Sequence, residues 1–258
     1  MKFYLGTNWK MHRTNTEAVH YIAEFLPLLR EQDLSRHYLF VIPSFTSLQL
    51  VRNAVTEAAV PLKVGAQNVH WEDGVEATGE ISVRILADIP VDLVEIGHSE
   101  RRQKFGETDL EVNRKARAVL GHGLTALICI GENGAEKEKG IGSQALERQV
   151  RSGLDRIPRE DLSRVMLAYE PTWAIGVAGK PADPTYVQEK HAAIRETLNN
   201  MYSVEIAAEV PLLYGGSVNR LNFRSYAEIA HVDGLFVGRA AWNPQSFLEL
   251  IGMSRAFV

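Results

Sequence analysis

Eight short apolar runs, each followed by a stretch of helical periodicity, constrain this chain more than any other feature. They cover residues 3–7, 38–42, 62–66, 93–96, 125–130, 164–169, 210–214 and 234–237. The runs are apolar almost residue by residue, not at alternate positions, as strands covered on both faces should be. Between them, Val19, Ile22, Ala23 and Leu26 predict one helix face, and Leu48, Val51 and Val55 another. Thr108 and Glu111 form a capping box, in which each side chain satisfies an orphan N–H of the helix start. The helix it opens turns Val112, Ala116 and Val119 inward. Asp183 before Pro184 reads as an N-cap with proline in the first turn. Val187, His191, Ile194 and Leu198 follow on one face. Alternating strand and helix implies parallel strands with right-handed crossovers. Eight units imply a closed α/β barrel, (β/α)8, with an open doubly wound sheet as the alternative. No linker or low-complexity tract interrupts the 258 residues, so residues 1–258 read as a single domain.

Charge narrows the function classes. A net charge of −4 argues against a general nucleic-acid binder, which needs a basic face. No apolar run approaches a membrane span or a signal-peptide core. The one cysteine, Cys129, excludes an intrachain disulfide and fits a reducing compartment. The expectation is a soluble, cytoplasmic protein with neither nucleic acid nor membrane as partner.

In a (β/α)8 barrel the chemistry gathers at the carboxyl ends of the strands. The first strand ends in Asn8-Trp9-Lys10, where the lysine is either a salt-bridged rim residue or a cation for an anionic substrate. The fourth ends in Gly97-His98-Ser99-Glu100. His98 opens a helical turn, whose positive end favours neutral imidazole and so a hydrogen-bond donor. The sixth ends at Glu170, which is either a paired structural carboxylate or a general base made more basic by apolar surroundings. The seventh ends in Gly215-Gly216-Ser217 and the eighth in Gly238-Arg239. Glycines there let backbone N–H groups approach a phosphate closely. Cys129 ends the fifth strand and reads as a buried, inert thiol. The eight histidines form no paired-ligand pattern, and no GxGxxG opens a strand–helix unit. Neither a metal nor a nicotinamide cofactor is expected.

Longer motifs join these residues. Asn8-Trp9-Lys10-Met11, Gly65-Ala66-Gln67-Asn68, Thr78-Gly79-Glu80-Ile81-Ser82 and Gly97-His98-Ser99-Glu100-Arg101-Arg102 run in order along the chain. Phe105-Gly106-Glu107-Thr108, Tyr169-Glu170-Pro171-Thr172-Trp173-Ala174-Ile175-Gly176 and Tyr214-Gly215-Gly216-Ser217-Val218 complete them. The set resembles triosephosphate isomerase over essentially the whole chain. That family gives the TIM barrel its name and is the usual example of base, neutral-histidine and loop-closure chemistry.

The resemblance implies a role for each matching position. Glu170 would take a proton from the carbon beside the carbonyl. His98, neutral, would polarise the carbonyl oxygen and shuttle a proton between the two enediolate oxygens. Lys10 and Asn8 would stabilise the developing charge, with Glu100 holding the Lys10 region. Gly176, Ser217 and Gly238 would present N–H groups to the phosphate. Residues 171–180 would form a lid: Pro171, the hinge Trp173, Ala174, Ile175, Gly176, Val177, Ala178, Gly179 and Lys180. Closure would retain a phosphorylated enediolate that otherwise eliminates phosphate. The family's dimer loop corresponds to residues 68–79, with Thr78 reaching the partner's site, so a homodimer is implied. The implied substrate is a small phosphorylated ketose, with no cofactor.

Three places depart from the family pattern. His12 replaces its second asparagine after strand one, the lid is one residue longer at its tip, and Arg239 replaces the second glycine after strand eight. Arg239 either adds a cation near the phosphate or points outward. Together these departures resemble the branch that converts L-erythrulose 1-phosphate to D-erythrulose 4-phosphate in erythritol breakdown, whose substrate carries one extra hydroxymethyl group. The alternative is the glycolytic isomerase of dihydroxyacetone phosphate and D-glyceraldehyde 3-phosphate. A Schiff-base aldolase would need Lys10 as nucleophile, although its setting suits charge stabilisation better. A non-catalytic sugar-phosphate sensor would have no use for Glu170.

Overall fold

The structure is a computed structural model and describes residues 2–176 and 179–258. The eight runs fold as β1 (Phe3–Asn8), β2 (His37–Ile42), β3 (Leu62–Ala66), β4 (Leu93–Ile96), β5 (Thr125–Ile130), β6 (Val165–Tyr169), β7 (Leu212–Tyr214) and β8 (Gly234–Val237). All pair in parallel with their sequence neighbours. β1 also pairs with β8, with Tyr4 opposite both Tyr38 and Gly234, and this closes the barrel.

The pleat sorts the strand residues into two cores. Phe40, Ile42, Leu93, Leu127, Cys129, Met166, Ala168, Leu213 and Phe236 pack together inside the barrel. Their sequence neighbours, such as Ala126, Ile128 and Ile130, pack outward under the helices. Burial on both faces is why the strands lack alternation.

Around the barrel lie α1 (Asn15–Arg30), α2 (Phe45–Ala58), α3 (Val83–Asp88), α4 (Ser99–Phe105), α5 (Asp109–Gly121), α6 (Gly134–Glu138), α7 (Gly142–Gly153), α8 (Pro184–Met201), α9 (Val204–Ala207), α10 (Phe223–Ala227) and α11 (Pro244–Ser254). The capping box of Thr108 and Glu111 opens α5, and the Asp183 side chain accepts from the Thr185 N–H at the start of α8. The inward faces of α2, α5 and α8 are those expected.

Four strand boundaries and one helix face differ from the sequence reading: β1 runs on to Asn8, and β2 starts one residue earlier at His37. β6 begins at Val165, because Arg164 closes a 3-10 turn and donates to the Leu120 carbonyl at 2.9 Å. β7 begins at Leu212, since Pro211 has no N–H to give a ladder. The buried stripe of α1 is Ala18, Tyr21, Ile22, Phe25, Leu26 and Leu29, while Val19 and Ala23 face solvent. Two aromatic rings bury more area than the two small aliphatics and set the rotation of the helix.

Candidate active site

A cavity of about 530 Å³ opens at the carboxyl end of the barrel. Asn8, Lys10, His98, Glu100 and Glu170 line it, together with Gly176, Gly179, Gly215, Ser217, Gly238 and Arg239.

Lys10 follows the end of β1 with φ 52°, in the left-handed region that lysine rarely adopts. The Lys10 N–H donates to Asn8 Oδ1 at 2.6 Å, and Gln67 Nε2 donates to the Lys10 carbonyl at 2.8 Å, which holds the turn. The ammonium reaches Glu100 Oε1 at 2.8 Å.

His98 caps α4 and accepts the Glu100 N–H on Nδ1 at 3.1 Å. The ring proton therefore sits on Nε2, which lies 3.4 Å from Glu170 Oε2. Burial first, and then the charge of Lys10, push the imidazole down to about 3. Burial, more than the helix start, keeps this histidine neutral.

Glu170 leaves the end of β6 fully enclosed. Desolvation pushes its carboxyl up to about 8, against the pull of Lys10 and with a further push from Glu100. Oε2 has no hydrogen-bond partner among the described residues. Gly215 makes the room: a Cβ there would stand 2.8 Å from Glu170 Oε1.

The lid segment starts with Pro171 and one 3-10 turn, Thr172–Ala174. Trp173 Nε1 donates to Glu132 Oε1 at 2.8 Å, and Tyr186 donates to the same oxygen at 2.9 Å. Lys137 Nζ sits 3.4 Å from the centroid of the Trp173 ring. The Ser217 hydroxyl donates to the Ala174 carbonyl, joining the lid to the turn after β7. Ser217 also has a left-handed backbone, φ 46°.

The Glu170–His98–Lys10 grouping and the turns after β7 and β8 therefore share one cavity. The chain matches the family model of triosephosphate isomerase over residues 3–254.

The chain belongs to the triosephosphate isomerase family.

Among its relatives, L-erythrulose-1-phosphate isomerase of Rhizobium etli is 44% identical over 100% of this chain and 94% of its own. The protein of the same name from Brucella abortus biovar 1 is 42% identical over 97% and 95%. That of Rhizobium meliloti is 43% identical over 96% and 95%.

Most of the site residues expected from the triosephosphate isomerase pattern meet at this cavity, but not all do. Ile175, Gly176 and Gly179 of the lid line it, whereas Pro171, Trp173, Ala174 and Lys180 do not. Val177 and Ala178 lie outside the described residues. Gly216 does not line the cavity, because it turns toward the Tyr214 hydroxyl. Cys129 is buried within the barrel, where burial raises its thiol well above the ordinary range and keeps it protonated. Arg239 lines the cavity, which answers the question of its direction, and so do His12 and Trp242, whose rings lie 4.3 Å apart. Thr78 is exposed on the loop between β3 and α3 and does not line the cavity. Among the described residues no three His, Cys, Asp or Glu side chains are grouped as a metal site. Two carboxylates escaped the sequence reading. Glu132, fully buried, ends β5 in Gly131-Glu132-Asn133, where a strand-end carboxylate was a usable signal. Glu95 lies inside β4.

Proposed function

We propose that this chain isomerises L-erythrulose 1-phosphate to D-erythrulose 4-phosphate, without a cofactor, through a cis-enediolate. The observation that carries the reading is the shared cavity of Glu170, neutral His98 and Lys10 with Arg239 at its rim. The names borne by relatives 40–44% identical support the choice of substrate.

Glu170 takes the proton from C3, and the C–H electron pair becomes the C2–C3 double bond. The C2 carbonyl oxygen gains the negative charge and meets His98 Nε2–H, Lys10 Nζ and Asn8. His98 gives its proton to that oxygen and takes one from the C3 hydroxyl. Glu170 then returns its proton to C2, leaving the ketone at C3. A neutral imidazole matches the acidity of an enediol better than an imidazolium does. The N–H groups of Gly176, Ser217 and Gly238, with the Arg239 guanidinium, hold the phosphate, and the lid residues exclude water.

The second reading is the glycolytic and gluconeogenic interconversion of dihydroxyacetone phosphate and D-glyceraldehyde 3-phosphate, with which family membership is equally compatible. Steady-state kinetics with both substrates, and Glu170→Gln as control, decides between them. A kcat/KM larger for the tetrulose phosphate by about tenfold or more supports the proposal. The reverse order selects the glycolytic reading, and turnover of neither substrate sinks both.

We further read residues 1–258 as one domain that works in the cytoplasm as a homodimer. Among the described residues no helix is long and apolar enough to cross a membrane. Met11 and Phe105 are 95% and 71% exposed, large apolar side chains that a second copy would cover. Thr78 would then reach the partner's site. Light scattering tests this: a dimeric mass that Thr78→Arg lowers supports it, and a fully active monomer ends it.

A further inference from the structure

Glu95 points inward from β4, one pleat beyond Leu93, and is fully buried in the barrel interior. Its surroundings are those that accept a carboxyl group only when it is hydrogen-bonded. Oε2 accepts from Asn8 Nδ2, and Oε1 lies 3.6 Å from Cys129 Sγ. The far end of the Asn8 amide is equally determined. Asn8 Oδ1 accepts from the Lys10 N–H at 2.6 Å and from Gln67 Nε2 at 3.1 Å. Two donors facing Oδ1 leave Nδ2 no direction but toward Glu95. A chain of hydrogen bonds thus runs from the barrel interior through Asn8 to the left-handed backbone of Lys10.

We infer that Glu95 is a positioning residue of the isomerase site, orienting the Asn8 amide and through it the Lys10 turn that delivers the ammonium to the substrate. The inference rests on the isomerase reading above. Glu95 does not line the cavity, so it would act only through Asn8 and Lys10. The titratable groups around it are Glu170, Lys10, Cys129 and Glu100. Burial, and then the charge of Glu170, raise its carboxyl well above the ordinary range, against Lys10 and the Cys129 hydrogen bond. That shift favours the protonated carboxyl. Both carboxyl oxygens face donors: Asn8 Nδ2 donates to Oε2, and the Cys129 thiol donates to Oε1. A neutral acid holds Asn8 without setting a second negative charge beside the base.

The test compares wild type, Glu95→Leu and Glu95→Gln, assayed on L-erythrulose 1-phosphate and on dihydroxyacetone phosphate. Glu95→Leu fills the barrel with apolar volume but leaves the Asn8 amide donor unpaired, so it is expected to fold and to melt below wild type. It loses the acceptor for Asn8, so kcat is expected to fall roughly 10- to 100-fold while KM changes less than about threefold. Glu95→Gln keeps a carbonyl acceptor and is expected to restore kcat to within about threefold, with the acid limb of kcat/KM unmoved. A wild-type-minus-Gln infrared difference spectrum is expected to show the carbonyl stretch of a protonated carboxyl group. Wild-type kcat in Glu95→Leu overturns the inference, as does a kcat loss that Gln fails to rescue. A downward shift of the acid limb in Glu95→Gln overturns the neutral form, because it reveals a charge that had been raising Glu170. If wild type turns over neither substrate, the isomerase reading fails and takes this inference with it. If wild type is active and Glu95→Leu is indifferent, only the inference fails.

Discussion

His98 Nε2 lies 3.4 Å from Glu170 Oε2, and the two groups are a neutral imidazole and a carboxyl held toward its neutral form, not an ion pair. Burial holds the imidazole neutral down to about pH 3 and keeps the carboxyl protonated up to about 8. Each group is thereby tuned away from the charge it would carry in water, in opposite directions.

Glu170 must be ionised to act, so kcat/KM is expected to fall on the acid side with an apparent pKa raised above the usual carboxylate range, toward about 8. Glu170→Gln is expected to lower kcat by about 10²–10⁴-fold. The same burial opposes folding at high pH. The unfolded chain releases this proton in the ordinary carboxylate range and the folded chain only near 8, so stability falls as pH rises between the two. Glu170→Gln is therefore expected to be more stable than wild type at pH 8.5, by about 2 kcal/mol or more in urea unfolding. An unchanged urea midpoint would contradict the raised value.

His191 provides the opposite sign. It is fully buried against Tyr169 and Tyr214, with Nδ1 3.0 Å from the His231 carbonyl, and burial lowers it to about 4. Below pH 6.5 the unfolded chain gains a proton that the folded chain refuses, so stability is lost as pH falls from 6.5 toward 4. His191→Asn keeps a donor toward the carbonyl without the titration. Between pH 7 and 5 it is expected to lose less stability than wild type, by up to about 2 kcal/mol. Parallel loss in both proteins would place the acid lability elsewhere.

Glu132 anchors the lid hinge through the donors of Trp173 and Tyr186, with Tyr169 at 3.3 Å. Glu132→Ala leaves the buried Tyr169 hydroxyl and the half-buried Trp173 and Tyr186 donors unpaired, and is expected to cost about 1–3 kcal/mol. It is also expected to alter kcat and KM together, as hinge changes do. Tryptophan fluorescence on substrate binding reports the hinge directly. Unaltered kinetics in Glu132→Ala would remove the hinge role.

Arg239 stands at the cavity rim where the family pattern has glycine. Arg239→Gly is expected to raise KM for the tetrulose phosphate about tenfold, the loss of one charge-assisted phosphate contact. The ratio of kcat/KM values should shift toward dihydroxyacetone phosphate. Equal KM values for variant and wild type would leave Arg239 without a part in binding.

Much of this architecture was legible because it depends on regular physics. Continuous apolar runs could come only from strands buried twice, and Thr108 and Asp183 announced their helices. Glu170, His98 and Lys10 stood out as polar groups ending apolar strands. Glu95 did not, because one carboxyl within Leu93–Ile96 is outvoted by its neighbours in any reading of periodicity. Its meaning lies in Asn8 and Cys129, residues 87 and 34 positions away, which only barrel closure brings near. Glu132, just past the end of β5, did carry the strand-end signal, but its partners from β6, the lid segment and α8 meet only in the fold. The rotation of α1 was misjudged because aliphatic spacing was weighed above the two rings of Tyr21 and Phe25.

Gly215 leaves empty the volume that a methyl group would take from the Glu170 carboxylate. The working position of the base is thus defined by a missing atom. Alanine at 215 would act as an inhibitor built into the chain, occupying the base's place before any substrate arrives. Side chains stand at the rim, such as those of Arg239 and His12, but at 215 even a methyl group meets the Glu170 carboxylate.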